Sequence, residues 1–269
     1  MDAEACLYIV PVPIGNLKDI TLRAIEILKE VDFIAAEDTR YSLKLLNHLG
    51  IKKEMVSYYK PREYEKSEHI INKLLEKRTA ALITDSGTPT ISDPGFILVK
   101  RIIDKGIPVV SLPGPTAFVP ALAASGIDPG KFLFLGFPPR KQSALRRFLN
   151  TLSSLEYTMV FYESPRRAAG FLETAAQVFG SRKFVLAKEL SKKNEKIIRG
   201  DLNDLNEILS SETLLGEIVV IIAGRGENNH PHEKKLRLNT LEDLFAYFKE
   251  THHISRNQLK KVLMKKTEK

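Results

Sequence analysis

The stretch TAALITDSGTPTISDPGFILVKRII, residues 79–103, sets the architecture. Its first residues are a short apolar run of the kind that fills a buried strand. From Phe96 onward apolar residues recur at helical spacing. Between the two lies a stiff polar loop with Asp85 and Asp93, two glycines, two prolines, and hydroxyls at Ser86, Thr88, Thr90 and Ser92. Strand, loop and helix in that order form the unit of a parallel α/β sheet, in which ligands collect beyond the carboxyl ends of the strands. Proline restricts the shapes such a loop can take, and glycine lets a ligand approach its backbone. Asp93 precedes Pro94 and is placed to cap the following helix. Asp85 stands at the strand tip, where it either bonds the loop amides or faces a ligand.

The same unit recurs to either side. LYIVPVP reads as a strand, TLRAIEILKEV as a helix capped by Asp19 or Thr21, and DFIAAED as a second strand. YSLKLLNHLG is a helix closed by Gly50, MVSYY a strand, EKSEHIINKLLEK an amphipathic helix and PVVSLPG a strand. The polar stretches PIGN, EDTR, DSGTP and LPGPTA each follow a strand directly, so they are expected on one rim. In EDTR, Asp38 or Thr39 can cap the next helix, while an acid beside Arg40 also suits substrate positioning. From about residue 118 to 226 the rhythm changes to a mixed sheet with antiparallel pairs, some joined by short turns such as KKN. The expected organisation is an N-terminal α/β domain over residues 1–115, a mixed α/β domain over 116–228, and a polar linker with a short basic helical tail over 229–269.

Composition narrows the function. With 43% apolar residues in 269, the chain can build a packed core. No apolar run reaches the ~18 to 20 residues of a membrane span, which argues against a membrane protein. The start, MDAEACLYIV, lacks the basic region and cleavage site of a leader, and a single cysteine suits a reducing cytoplasm. The six histidines lack cysteine or spaced acid partners, so no metal site is expected. Net charge is +8, and the excess clusters in PRKQSALRR, SPRR and the closing RNQLKKVLMKKTEK, the footprint of a nucleic-acid partner or of a solvated basic face. The glycine-rich dinucleotide fingerprint, the phosphate-binding P-loop and the G-x-S-x-G serine elbow are all missing. The rim loops are rich in Pro, Gly, Ser and Thr and poor in Lys and Arg, which suits a zwitterionic, partly aromatic ligand better than a triphosphate.

Taken in order, IVPVPIGNLKDITLRAIEILKEVDFIAAEDTR, LITDSGTPTISDPG, SLPGPTAFVPALAASG, FLFLGFPPRK, FYESPRR and GEIVVIIAG resemble the tetrapyrrole-methylase superfamily of S-adenosylmethionine-dependent methyltransferases. Within it they resemble the branch that methylates the ribose 2'-hydroxyl of a cytidine in the decoding region of 16S rRNA, in the small ribosomal subunit. The likeness runs from about residue 7 to 225. One departure is Val12, where relatives often carry threonine before the proline. The resemblance implies two α/β domains with the cofactor in the cleft between them, and a homodimer. Carried onto this chain, it implies a cofactor pocket with Pro13, Asp85, Ser86, Gly87, Thr88 and Ser92 from the first domain. It adds Pro113, Thr116 and Ala117 at the junction, and Leu135, Gly136, Glu163, Ala223 and Gly224 from the second domain.

Methyl transfer to a hydroxyl needs alignment and a group that accepts a proton. Acid–base candidates at strand ends are Glu37, Asp38, Glu163 and the Lys188–Glu189 pair, with Lys188 equally readable as an ion-pair member. Phosphates are expected at Arg40, Arg140, Lys141, Arg146 and Arg147, with Arg166 and Arg167 nearer the cleft. Tyr58, Tyr59 and Tyr162 either stack on a displaced base or pack in the core. Two other readings compete. A methylase of a small tetrapyrrole or corrin has no need of the basic stretches, and a non-catalytic RNA-binding protein has no need of the cofactor.

Overall fold

A computed structural model of the chain describes residues 4–60, 63–210 and 214–226. The first sheet is built from β1 (Cys6–Ile9), β2 (Phe33–Ala36), β3 (Glu54–Ser57), β4 (Thr79–Ile83) and β5 (Val109–Ser111), in the order β3-β2-β4-β1-β5. Every pairing in it is parallel. The helices between the strands are α1 (Leu22–Glu30), α2 (Thr39–His48), α3 (Glu63–Leu75) and α4 (Phe96–Asp104).

Why both faces are covered follows from the strand period of two. In β2, Phe33 and Ala35 join Ile70, Ile71, Leu98 and Ile102 of α3 and α4 in one core. Ile34 and Ala36 join Ala24, Leu28 and Leu46 of α1 and α2 in the other. Ala80 and Leu82 of β4 divide from Ala81 and Ile83 in the same way. A strand with apolar residues on both sides is stable only between two helix layers.

The second sheet follows α5 (Phe118–Ala123). It holds β6 (Phe132–Gly136), β7 (Thr158–Glu163), β8 (Lys183–Lys188), β9 (Lys196–Asp201) and β10 (Ile218–Ile222), ordered β6-β7-β10-β8-β9. β6 and β7 are parallel and the other three pairings are antiparallel. Helices α6 (Gln142–Leu152), α7 (Pro165–Phe179) and α8 (Leu205–Ser210) complete this half. Met159, Phe161, Leu186 and Val220 face a core shared with α6 and α7. Val160, Val185, Val219 and Ile221 face the opposite way, toward α5 and the loop residue Ile14. The link between the sheets, residues 112–117, is the LPGPTA stretch.

Local chemistry sets the element ends. Thr21 Oγ1 accepts from the Ala24 amide at 3.1 Å and caps α1. Asp38 Oδ1 accepts from the Arg40 amide at 2.9 Å and caps α2. The expected cap at Asp93 is not formed. The residue before α4 is Gly95, with φ at 138° and no side-chain cap. Positive φ at Thr90, Ser92 and Gly95 carries the chain around Pro94, so the Asp93 side chain does not reach the free amides of the helix. Tyr58 is fully buried against α3, with its hydroxyl 3.5 Å from Ser67 Oγ, so it is a core residue and not a stacking platform. The expected tail helices, the linker and its histidines lie outside the described residues.

Candidate active site

The order β3-β2-β4-β1-β5 reverses direction at β4 and β1, and at such a point the loops leaving adjacent strands part to form a crevice. Here the loops are tied together around it. The Val12 amide donates to Gly87 O at 2.9 Å, and the Gly87 amide donates back to Val12 O at 3.0 Å. Thr88 Oγ1 donates to Pro115 O at 2.9 Å, joining the loop after β5. At Gly114 a Cβ would lie 2.6 Å from Pro11 Cβ, so only glycine permits that crossing. The second sheet adds its own ties. Ser191 Oγ donates to Asp19 Oδ2 across the crevice, and Gly15 passes against the Lys192 side chain.

The crevice deepens into a cavity of about 310 Å³ between these loops and the second sheet. That lies at the lower end of the size that encloses a small organic ligand. From the first half come Ile14, Ser86, Gly87, Thr88, Ile91, Ser92 and Asp93; from the junction come Thr116 and Ala117. Phe137, Tyr162, Glu163, Ser164, Pro165, Leu190 and residues 216–219 close the other side. Among the described residues no lysine or arginine lines it, while three carboxyl groups do.

Glu163 closes β7 with its side chain fully buried. Its Oε1 accepts from the Ser164 amide at 2.7 Å, and its Oε2 lies 3.2 Å from Arg167 Nη2. That contact is an ion pair without hydrogen-bond geometry, and Oε2 has no hydrogen-bond partner among the described residues. Thr116 Oγ1 is likewise buried and unpartnered. An orphaned buried oxygen costs free energy, and oxygens of this kind collect where a ligand supplies the missing partner. Tyr162 packs edge-on against Phe134 at 4.9 Å and Phe137 at 5.7 Å. Burial pushes its hydroxyl up to about 12, so it stays a neutral phenol. Asp93 is pushed up to about 7, first by burial and then by Glu37, with Lys60 opposing. Burial and Asp85 raise Glu37, and burial raises Asp85.

A second cavity, about 510 Å³, shares Phe137, Glu163 and Ser164 with the first. Pro138, Pro139, Arg140 and Arg167 complete it. Arg167 also donates to Pro139 O at 3.0 Å and to Pro138 O at 3.3 Å, so a half-buried guanidinium props the shared wall.

The positions expected from sequence divide accordingly. Ser86, Gly87, Thr88, Ser92, Thr116, Ala117 and Glu163 meet at the first cavity. Pro13 stands between Val12, which pins the loop, and Ile14, which lines the cavity. Gly136 adopts φ at 58°, and a Cβ there would lie 3.3 Å from Ser92 Oγ. Asp85 turns away to accept from the Asp38 amide at 3.2 Å. Pro113 is exposed, and Leu135 packs into the core behind β7. Ala223 and Gly224 lie at the far end of β10. That strand runs antiparallel to β7, so its first residue, Ile218, pairs with Glu163 and its last pairs with Met159. The start of the strand, from Gly216 to Val219, therefore meets the cavity.

Among the acid–base candidates only Glu163 lines the cavity. Asp38 is the helix cap and pairs with Arg40 at 3.0 Å, which holds its carboxyl below the usual range. Glu189 Oε1 accepts from Lys192 Nζ at 3.0 Å and from the Glu217 amide at 3.2 Å. Lys188 ends β8 opposite Ile218 and lies outside the lining. Of the cations, Arg140 and Arg167 line the second cavity; Lys141, Arg147 and Arg166 are exposed; Arg146 donates to Gln177 Oε1. Asp93, Phe137, Leu190 and Glu217 were missed as lining residues.

Residues 6–206 match the family described as Tetrapyrrole (Corrin/Porphyrin) Methylases. The chain is 42% identical over 232 residues to the ribosomal RNA small subunit methyltransferase I of Halalkalibacterium halodurans, covering 86% of this chain and 80% of that protein. It is 44% identical over 218 residues to the protein of the same name from Streptococcus pyogenes serotype M3, covering 81% and 76%. Among solved structures, uroporphyrin-III-C-methyltransferase from Thermus thermophilus superposes with a TM-score of 0.59 at 19% identity, over 82% of this chain and 94% of that one.

Proposed function

The chain belongs to the tetrapyrrole methylase family, and from that we propose that it transfers a methyl group from S-adenosylmethionine to the ribose 2'-hydroxyl of a cytidine in 16S ribosomal RNA. Methyl transfer is the chemistry of its relatives, and ribosomal RNA is the substrate class their names carry. The observation that carries the RNA reading is the 42% identity over most of both chains to a small-subunit rRNA methyltransferase. The likeness to the porphyrin enzyme speaks to the fold alone.

The lining fits the methyl donor. S-adenosylmethionine supplies a methyl group on a positively charged sulfur, which leaves as a neutral thioether. A cationic, partly apolar ligand suits walls of Ile14, Ile91, Ala117, Leu190 and Val219 that carry carboxylates and no cation. Loop amides at Ser86 and Thr88 and the orphaned Thr116 hydroxyl would supply its polar contacts. The chain's own work is then alignment: the tied loops after β1, β4 and β5 fix the donor, and Tyr162 and the Glu163–Arg167 pair fix the wall the ribose meets. RNA phosphates are assigned to Arg140, Lys141, Arg147 and Arg166, outside the first cavity. A homodimer and a cytoplasmic setting belong to the same reading. Among the described residues no helix is long and apolar enough to cross a membrane, and no acidic, histidine or cysteine cluster could hold a metal.

The test is to incubate the protein with methyl-labelled S-adenosylmethionine and, in parallel, unmethylated small ribosomal subunits or a tetrapyrrole precursor. Label in 16S rRNA, mapped by mass spectrometry to a 2'-O-methylcytidine, is the expected result. Label in the tetrapyrrole alone overturns the reading.

A further inference from the structure

Residues 189–195, between β8 and β9, form a strap that leaves the second sheet, supplies Leu190 to the first cavity and then crosses to the loop after β1. There Ser191 Oγ donates to Asp19 Oδ2. The Lys192 side chain lies on Gly15, where an added Cβ would collide with Lys192 Cγ. Ile14, beside Gly15, lines the same cavity as Leu190. The strap therefore spans the two halves at the cavity's edge.

Its shape is held from within. Glu189 at φ 52° and Ser191 at φ 66° are left-handed without being glycine. Such strain persists only where the surroundings over-determine it, and it gathers at clamps and switches. The Ser191 amide donates to Glu195 Oε2 at 2.6 Å, and the Glu195 amide donates to Lys192 O at 3.1 Å. At the root of the strap the Glu189 amide donates to Glu217 O at 3.1 Å, and Lys192 Nζ reaches Glu189 Oε1 at 3.0 Å and Glu217 Oε2 at 3.4 Å. The strap is thus stiff and rooted in the second half. What holds it to the first half is of another kind. The ties among the loops after β1 and β4 are paired backbone hydrogen bonds, as between Val12 and Gly87. The Ser191–Asp19 tie joins two side chains, and Asp19 is exposed, so water can replace either partner without unfolding a loop.

We propose that residues 189–195 are a gate on the first cavity, bolted by the Ser191–Asp19 hydrogen bond, which opens to admit S-adenosylmethionine and to release the thioether left after methyl transfer. The gate rests on the methyl-donor reading above and sets the pace of ligand exchange, not the chemistry. Opening and closing of such segments governs turnover in many enzymes. A hydrogen bond to a carboxylate is strong enough to shift an open–closed equilibrium roughly tenfold or more.

Two kinds of change to the full chain test it, in opposite directions. Asp19→Ala and Ser191→Ala each remove the bolt. In stopped-flow displacement, S-adenosylhomocysteine should leave either variant roughly tenfold faster than wild type, and the double variant no faster than the singles, because both lose one shared contact. Asp19→Cys combined with Ser191→Cys makes the bolt covalent once oxidised with copper–phenanthroline; Cys6, the native cysteine, is buried. Release should then slow at least tenfold and recover on reduction, with the linked peptides identified by mass spectrometry. Wild-type release rates in both single variants overturn the gate. So does unchanged release from the oxidised protein, or failure of the two cysteines to join. If wild-type protein binds neither S-adenosylmethionine nor its thioether, the methyl-donor reading fails first and the gate falls with it. If it binds both and release is unaltered by these changes, only the gate fails.

Discussion

Asp93 sets a conflict between stability and charge that can be measured without substrate. Its carboxyl ionises near 3.8 in an unfolded chain and near 7 in the folded one. Below about pH 4 both states are protonated and the full stability is present. As pH rises to about 7 the unfolded chain sheds its proton while the folded protein keeps it, so stability falls; above about 7 the loss is complete. The gap corresponds to an upper bound of about 4 kcal/mol. Asp93→Asn cannot ionise, so its melting temperature should match wild type near pH 4 and exceed it by several degrees near pH 8. Equal losses at both pH values would mean that the side chain holds the fold together. Thr116 allows the opposite kind of test. Its buried hydroxyl has no partner among the described residues, so Thr116→Val should leave stability within about 1 kcal/mol. Binding of S-adenosylmethionine should weaken by roughly fivefold if that hydroxyl contacts it, as calorimetry would read. Thr116 was expected at the pocket from the sequence, whereas the place of Asp93 was not plain there. The Asp-Pro order of SDPG imitates a cap, and only the left-handed turns at Thr90 and Ser92 show that the side chain goes elsewhere.

The loop between β4 and α4 depends on a residue that carries no chemistry. At Gly95 a Cβ would meet Thr90 Cγ2 at 2.8 Å and Leu82 Cδ2 at 2.9 Å, and φ is 138°. Gly95→Ala should therefore cost about 2 kcal/mol or more in urea denaturation and loosen the turn that holds Asp93. Gly170 is the control. It lies inside α7 with nothing within 4 Å of an added Cβ, so Gly170→Ala should gain about 0.5–1 kcal/mol. If both changes cost the same, the steric account of Gly95 is wrong. At this scale the sequence was most readable where one rule held throughout. Each strand of the first sheet leads into a helix, so every polar stretch after a strand had to fall on one rim. The second sheet breaks that rule. A strand that runs antiparallel brings its beginning to the cavity, and nothing in GEIVVII gives the direction. Gly216–Val219 were missed for that reason, and Ala223 and Gly224 lie at the other end of the strand, outside the lining. Leu135 failed for a simpler cause, since in β6 it faces the helical core while its neighbour Gly136 approaches Ser92.

Across the whole molecule, charge is sorted by place. The first cavity is lined by acids and apolar groups, and the cations begin one wall away, with Arg140 and Arg167 in the second cavity and Lys141, Arg147 and Arg166 exposed nearby. Phe137, Glu163 and Ser164 belong to both cavities, so a donor in one and a nucleotide in the other would meet across a single wall. With the donor in the first cavity, this separation would keep its positive charge away from the groups proposed to attract phosphate. A net charge of +8 alone predicts only a general attraction to polyanions. The arrangement predicts something narrower. Single-stranded RNA affinity should fall with salt by about 0.7 in log Kd per log salt for each phosphate neutralised. Changing Arg140, Lys141, Arg147 and Arg166 together to glutamine should flatten the slope by about 2 to 3, with S-adenosylmethionine affinity unchanged. Arg167→Gln differs in kind, because it leaves the buried Glu163 charge uncompensated and should cost about 3 kcal/mol or more of stability. A salt slope unaltered by the fourfold change would place the RNA path on another face. A lowered cofactor affinity in that protein would show that the two cavities are not electrically separate.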